Sequence, residues 1–354
     1  MTVSFMIFIL TWSNYVFFGF FSNLTSLALI SLNLFMLFFY LPIIMSKNKK
    51  DMLFLLISII FIMMNAILSD SNVGGIIVIS NILLMMVLFK YILISEKYII
   101  LISFVMFMFF LFFNYSQHIG YNPNSIGYIV FLTFVYSNFY LIKYKVSKLI
   151  LPLISIAALY AISLTDNRGS LIALIMFLLL SYFVPAKIWG NKYVFSILTI
   201  LLTVGSIAFV FTYVFMWKNN IILEMSWSDK SFYTGREFIW SELVEGFKNH
   251  PIIGLGTNYH IMSNSNLNIH NSMFNVLVVY GVPVFLFTTM LILNRLKSLS
   301  NYILINKNVR IAVSGFLSVL LVGFFETNLL WSTNNFPALF LLVIAFSSCK
   351  LEEA

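Results

Sequence analysis

Side chains able to do chemistry are few in this sequence, and most fall in three short stretches. "TDNRGS" sets Arg168 between two apolar runs beside Asp166 and Asn167, and "FYTGREFIW" sets Arg236 next to Glu237. "HPIIGLGTNYH" and "IHNSMFN" then bring three of the four histidines, His250, His260 and His270, within twenty-one residues. A guanidinium stays charged in proteins and matches phosphate oxygens with a rigid fork of donors. Imidazole is the side chain whose free pKa allows proton transfer near neutrality. Arg236 falls at the second position of an expected helix, where free backbone N–H groups favour an anion such as a pyrophosphate. A surface pair with Glu237 or Asp229 fits the same residue, and Arg168 fits a headgroup anchor as well as the wall of a polar cavity. His250 precedes a proline at a helix end and reads as a C-terminal cap, and His118 reads as a loop residue. His270, beside Asn271 at the mouth of an apolar run, is the histidine retained for catalysis.

Other chemistries lack their residues. Cys349 is the single cysteine, which removes an intramolecular disulfide and a thiolate metal site. The histidine spacings contain no HExxH, and there is no Walker A loop, dinucleotide fingerprint, GxSxG elbow or paired-carboxylate run. The expectation is a site with no metal and no other cofactor, in which positive side chains take the place of an ion.

The elements that must position these residues are membrane helices. The chain has 354 residues, 61% hydrophobic and only 9% charged, with a formal charge of +8. Its Lys and Arg residues sit in clusters between long apolar runs rather than along one stripe, so the basic balance points to membrane orientation and not to nucleic acid. Because a bilayer core needs roughly 20 apolar residues in helix, the runs predict an all-α polytopic bundle of about twelve spans. These are Val3–Phe21, Leu24–Met45, Met52–Leu68, Ile76–Ile94, Tyr98–Phe113, Ser125–Ile142, Leu149–Leu164, Ser170–Val184, Tyr193–Trp217, Met273–Leu293, Val309–Phe325 and Trp331–Ser348. Val3–Phe21 lacks a basic flank and a cleavage site and reads as a retained span. With both termini cytoplasmic, fifteen of the twenty basic residues fall inside, which sets the orientation. The chain then reads as one membrane domain over 1–354, whose sole long polar loop, 218–271, is extracytoplasmic. Within that loop Thr234 and Glu237 form a capping box, and Ile239, Leu243 and Phe247 recur at helical spacing beside Trp240 and Val244. A short amphipathic helix over Gly235–Lys248, ended by Pro251, is expected.

The order of motifs, Asn-Arg-Gly between two spans, Gly-Arg-Glu-x-x-Trp, His-Pro-x-x-Gly-x-Gly, then His-Asn opening a span with Gly281 soon after, resembles the O-antigen ligase and O-antigen polymerase family of bacterial envelope glycosyltransferases. The similarity runs from about Leu164 to Phe285. It implies a GT-C-like, metal-independent inverting transferase of the cytoplasmic (inner) membrane. Its donor would be a polyprenyl-pyrophosphate-linked glycan on the outer face, its acceptor a second glycan, and a chain-length regulator an additional partner. By position, Arg168 and Arg236 would hold the pyrophosphate and His270 would orient or deprotonate the acceptor hydroxyl. Tyr233, Tyr259, His260, Asn271 and Glu326 are the expected substrate-binding surroundings. Asn167 stands where the family often has Ser, and Tyr280 where it often has an acid before the glycine. Polymerisation of O-antigen or capsular repeats is the preferred activity, with ligation to lipid A-core as the alternative. A flippase of lipid-linked sugars, the rival from another class, would place ionisable residues at mid-membrane, where these runs have almost none.

Overall fold

Over the residues that the computed structural model describes (22–47, 49–69, 71–113, 123–145, 150–221, 233, 235–259, 269–327 and 335–353), every regular element is a helix. In chain order the longer ones are α1 (Ser22–Lys47), α2 (Lys49–Leu68), α3 (Val73–Leu88), α4 (Glu96–Phe113), α5 (Pro123–Lys143), α6 (Ile150–Ser163), α7 (Arg168–Leu178), α8 (Lys192–Lys218), α9 (Arg236–Asn249), α10 (Ser272–Leu299), α11 (Lys307–Val322) and α12 (Asn335–Glu353), with short helical turns at Leu179–Phe183, Ala186–Trp189 and Ser300–Ile303. A helix therefore falls within each expected run from Leu24 onward, but it stops at Leu88 in the run expected to reach Ile94 and at Val322 in the run expected to reach Phe325, while Val3–Phe21, Leu149 and 331–334 lie outside the described residues. Among the described residues four helices are long and apolar enough to cross a membrane: Lys49–Leu68, Asn124–Lys143, Lys192–Lys218 and Ser272–Ile303. Asparagine starts many of these helices. The side chains of Asn72, Asn167, Asn191, Asn271 and Asn306 each accept a hydrogen bond from a backbone N–H of the first turn. Such caps satisfy donors that hydrocarbon cannot.

Polarity is distributed as lipid requires. Phe38 and Ile67 are both 76% exposed, whereas α11 is buried on nearly every side from Val309 to Val322. Helices α5 and α11 approach closely at Gly315, where an added Cβ would lie 2.6 Å from Val135 Cγ1. One end of the bundle collects basic residues. Arg295, fully buried, donates from Nη2 to Asp51 at 2.8 Å and from Nε to the Met86 carbonyl, while Lys90 lies 3.8 Å from the same carboxylate. Lys350 donates to the Lys90 carbonyl, and Asn306 donates to the Ser348 carbonyl.

The expected span Met273–Leu293 is not one straight helix. It breaks at Gly281, whose φ of 85° and ψ of 171° leave helical space, and the open backbone is filled by the His-Pro-x-x-Gly-x-Gly segment. Leu255 and Gly256 donate to the carbonyls of Val278 and Val279, and Val282 donates to Pro251. Fully buried Asn65 of α2 spans the junction, donating at 2.7 Å to both Ile253 and Val279. A Cβ on Gly281 would lie 2.0 Å from the Ile252 carbonyl, and one on Gly254 2.3 Å from that of Val279, so both glycines are needed for backbone to meet backbone.

The half-helix before the break lies across the bundle. At one end Asn271 meets Ser206 and Ser272 meets Gly323; at the other Val279 meets Asn65. Ser206, Gly323 and Asn65 lie 14, 16 and 16 residues beyond Lys192, Lys307 and Lys49, about 21–24 Å along their helices from the basic end. Both ends of Ser272–Tyr280 thus sit at one level, opposite the basic end.

Two stability results are expected. Gly281→Ala should cost about 2–3 kcal/mol or more through positive-φ strain and backbone collision, while Gly205→Ala, whose new Cβ meets nothing closer than 3.9 Å, should be neutral or slightly stabilising. Thermal denaturation in detergent followed by size-exclusion fluorescence measures both. In the same assay Asp51→Leu should lower the melting temperature more than the double variant Asp51→Leu/Arg295→Met, because a single deletion leaves a guanidinium buried without its counter-charge.

Candidate active site

The stretches around Asn167, Arg236 and His270 are linked through Asn124 and Glu326 at the end opposite the basic cluster. Helix α7 begins with Arg168; Asn167 caps it by accepting from Ser170 N–H at 3.0 Å. The preceding turn puts Asp166 at φ 53°. Gly169 lets this helix start press on Phe325, where an added Cβ would come within 3.3 Å. The residue after Phe325 is Glu326.

The Gly-Arg-Glu-x-x-Trp stretch forms the amphipathic helix one residue later than expected, Arg236–Asn249, with Gly235 as N-cap in left-handed space. Thr234 of the expected capping box lies outside the described residues. Glu237 accepts instead from the N–H of Gly235, the residue after Thr234, at 3.0 Å, and also lies 3.4 Å from the Tyr213 hydroxyl. Ile239, Trp240, Leu243 and Val244 are buried against the bundle, and His250 is the C-cap residue, its N–H donating to Phe247. Trp240 is packed edge-on by Phe209 and Tyr213, and its Nε1–H donates to the Ile269 carbonyl at 2.5 Å. The tryptophan thereby fixes the residue immediately before His270.

His270 takes φ 51°, a conformation L-residues rarely adopt, between the Trp240 anchor and the Asn271 cap. Asn271 is wholly buried. It accepts from Phe274 N–H at 2.9 Å and Ser206 Oγ at 2.8 Å and donates to the carbonyls of Ser206 and Phe324. These bonds occupy its amide, so it positions the histidine from behind.

Glu326 joins the parts. Its Oε2 lies 3.0 Å from His270 Nδ1, and its Oε1 accepts from Arg236 Nη2 at 3.3 Å and from Asn124 Nδ2 at 2.9 Å. The carboxylate is 11% exposed and the Arg236 and His270 side chains 23% each, so the cluster is largely desolvated. Burial pushes the Arg236 guanidinium below its ordinary range; Glu326 and then Tyr213 pull it back up, and Arg168 pushes it down. The two arginines are therefore within electrostatic reach of one another. Among the described residues, Arg236 directs an Nη2–H to Glu326.

Of the other expected substrate-binding residues, Tyr233 donates to the Ile221 carbonyl at 2.6 Å and stacks edge-on against Tyr213. Tyr259 belongs to the loop that fills the helix break, and burial raises its hydroxyl to about 12. His260 lies outside the described residues. Sequence reasoning missed Asn124 and expected Glu326 at the substrate without the contacts to Arg236 and His270. Neither has a local signal, since each meets its partners only through the fold.

Residues 153–289 match a family model described as O-antigen ligase. That segment holds Arg168, Arg236 and His270, while Asn124 and Glu326 fall on either side of it. No curated protein and no solved structure matches the chain. Over that segment, which holds the ordered Arg168, Arg236 and His270 motifs, the chain is similar to the O-antigen ligase family.

Proposed function

We propose that this protein is an O-antigen or capsular polysaccharide polymerase that joins polyprenyl-pyrophosphate-linked oligosaccharide repeats at the outer face of the bacterial cytoplasmic membrane. The observation that carries this reading is the meeting of Arg236 and His270 on one carboxylate, with Arg168 in electrostatic reach. His270 turns Nδ1 to Glu326, and in this reading that nitrogen donates to the carboxylate so that Nε2 is the one presented to substrate. The acceptor sugar hydroxyl gives its proton to Nε2. Its oxygen bonds to the anomeric carbon from the face opposite the pyrophosphate, and the carbon–pyrophosphate bond breaks with its electron pair leaving on the lipid diphosphate. Inversion follows from that geometry. Arg168 and Arg236 neutralise the departing charge from a partly dry site, where guanidiniums act more strongly than in water and no metal is required.

In this proposal the chain is a single membrane domain, with about twelve spans once the segment before Ser22 is included. The basic end with Lys90, Arg295 and Lys350 faces the cytoplasm along with both termini, and 218–271 lies outside. Tyr233, Tyr259 and His260 contact sugar, and a chain-length regulator acts beside it. Polymerase is preferred to ligase because the outer stretches hold only Arg168, Lys218, Lys230, Arg236 and Lys248 as cations, few for a multiply phosphorylated lipid A-core.

Arg236→Ala and His270→Ala, expressed at wild-type level, should each lose about 10²-fold or more in glycan extension, measured in membranes with lipid-linked repeats extracted from cells lacking this protein. Extension at the wild-type rate would remove both residues from catalysis. Surface glycan from a deletion strain, resolved on a gel, should show caps of a single repeat. Total loss of caps with accumulated lipid-linked polymer would instead identify the ligase.

A further inference from the structure

We infer that Asn124 is a positioning residue for the transfer reaction, tying the helix that starts at Arg168 to the carboxylate that orients His270. This rests on the reading of His270 as the base. Asn124 stands in the first turn of α5, outside the segment matched to the family, and it contacts both the carboxylate and the turn before α7. Its Nδ2–H donates to Glu326 Oε1 at 2.9 Å, and its backbone carbonyl accepts from Asn167 Nδ2 at 2.6 Å. Asn167 in turn caps α7, of which Arg168 is the first residue.

The approach between these two helix starts is built in. A Cβ on Gly127, one turn along from Asn124, would lie 2.7 Å from Asn167 Cβ and equally near Thr165 Oγ1, so only glycine lets α5 come this close to the Arg168 turn. A serine in place of Asn167 would have no amide N–H to reach the Asn124 carbonyl. The side chain at 167 therefore suits the contact that this chain makes.

The chemistry follows from the charges around the carboxylate. Glu326 faces Arg236 from α9, His270 from the start of α10 and Asn124 from α5. Arg168 from α7 and Tyr213 from α8 act on Arg236, and Glu237 turns away to the Gly235 N–H. Arg236 and Asn124 share Oε1, which leaves Oε2 to His270. The Asn124 amide dipole thus neutralises part of the carboxylate charge on the side away from the imidazole and stops the carboxylate rotating off Nδ1. Without that donor, more negative potential reaches His270, the imidazolium is stabilised, and less of the base form is present at a given pH.

The test is the pH profile of glycan extension by Asn124→Asp, which keeps the side-chain volume, replaces the donor by an acceptor and adds a negative charge. Protein is purified in detergent, and the probe is lipid-linked repeat units extracted from cells lacking this chain. The expected result is an acidic limb displaced upward by about one pH unit, a tenfold loss on the acid side, with most of the rate recovered at alkaline pH. Asn124→Ala should move the limb the same way by less, and serves if the aspartate variant does not fold. A loss uniform across pH, or an unmoved profile, in whichever variant folds overturns the inference. His270→Ala, assayed beside them, separates the two levels. If it is inactive while the Asn124 profiles stay in place, the positioning role alone fails; if it remains fully active, the catalytic reading fails and takes this one with it.

Discussion

One carboxylate organises the functional end of this molecule. Glu326 lies between a guanidinium, an imidazole and an amide that come from three parts of the chain, with |i−j| of 90, 56 and 202 residues. Each partner is largely removed from water, so the carboxylate acts on it through a medium far less screening than solvent. The same burial would make any one of these charges costly alone. The cluster is therefore interdependent: Glu326 offsets the positive charge of Arg236 and fixes which imidazole nitrogen faces the site.

That carboxylate would hold nothing in register without a rigid frame behind it. Asn271 fastens the half-helix that follows His270 to α8 and to the end of α11, and Trp240 fastens the residue before His270 to the amphipathic helix. At the far end of the half-helix, Asn65 and two glycines lock the helix break against the His-Pro-x-x-Gly-x-Gly loop. Buried amides recur at these joints because they carry both a donor and acceptors and no charge. They can satisfy interrupted backbone inside an apolar bundle at less cost than an ion. The unusual φ of His270 persists because it is held from both sides.

Helices were legible in the sequence because apolar runs in this composition leave few alternatives, and the amphipathic helix was legible from its 3.6-residue period to within one residue. The helix break was not. Met273–Leu293 reads as a continuous apolar run, and Gly281 and Pro283 also occur in unbroken membrane helices. Arg168, Arg236 and His270 stood out by type and by the order of their motifs. The identity of the residue joining them could not be read locally, since Glu326 sits in an unremarkable stretch beyond the matched domain. Asn271 was legible as a neighbour of His270 but not as a joint, because its bonds to Phe274 and Ser206 arise from the capping of α10 and from the packing of α8.

The central claim is that the arginines and His270 surround one leaving group at the Glu326 end. A cryo-electron microscopy map of the protein with a non-transferable polyprenyl pyrophosphate bound tests it most directly. The account predicts diphosphate density against both Arg168 and Arg236, with the His270 ring turned by Glu326 so that Nε2 faces the sugar-bearing phosphate. Diphosphate density in another cavity, or His270 separated from Glu326 with the lipid in place, would contradict it.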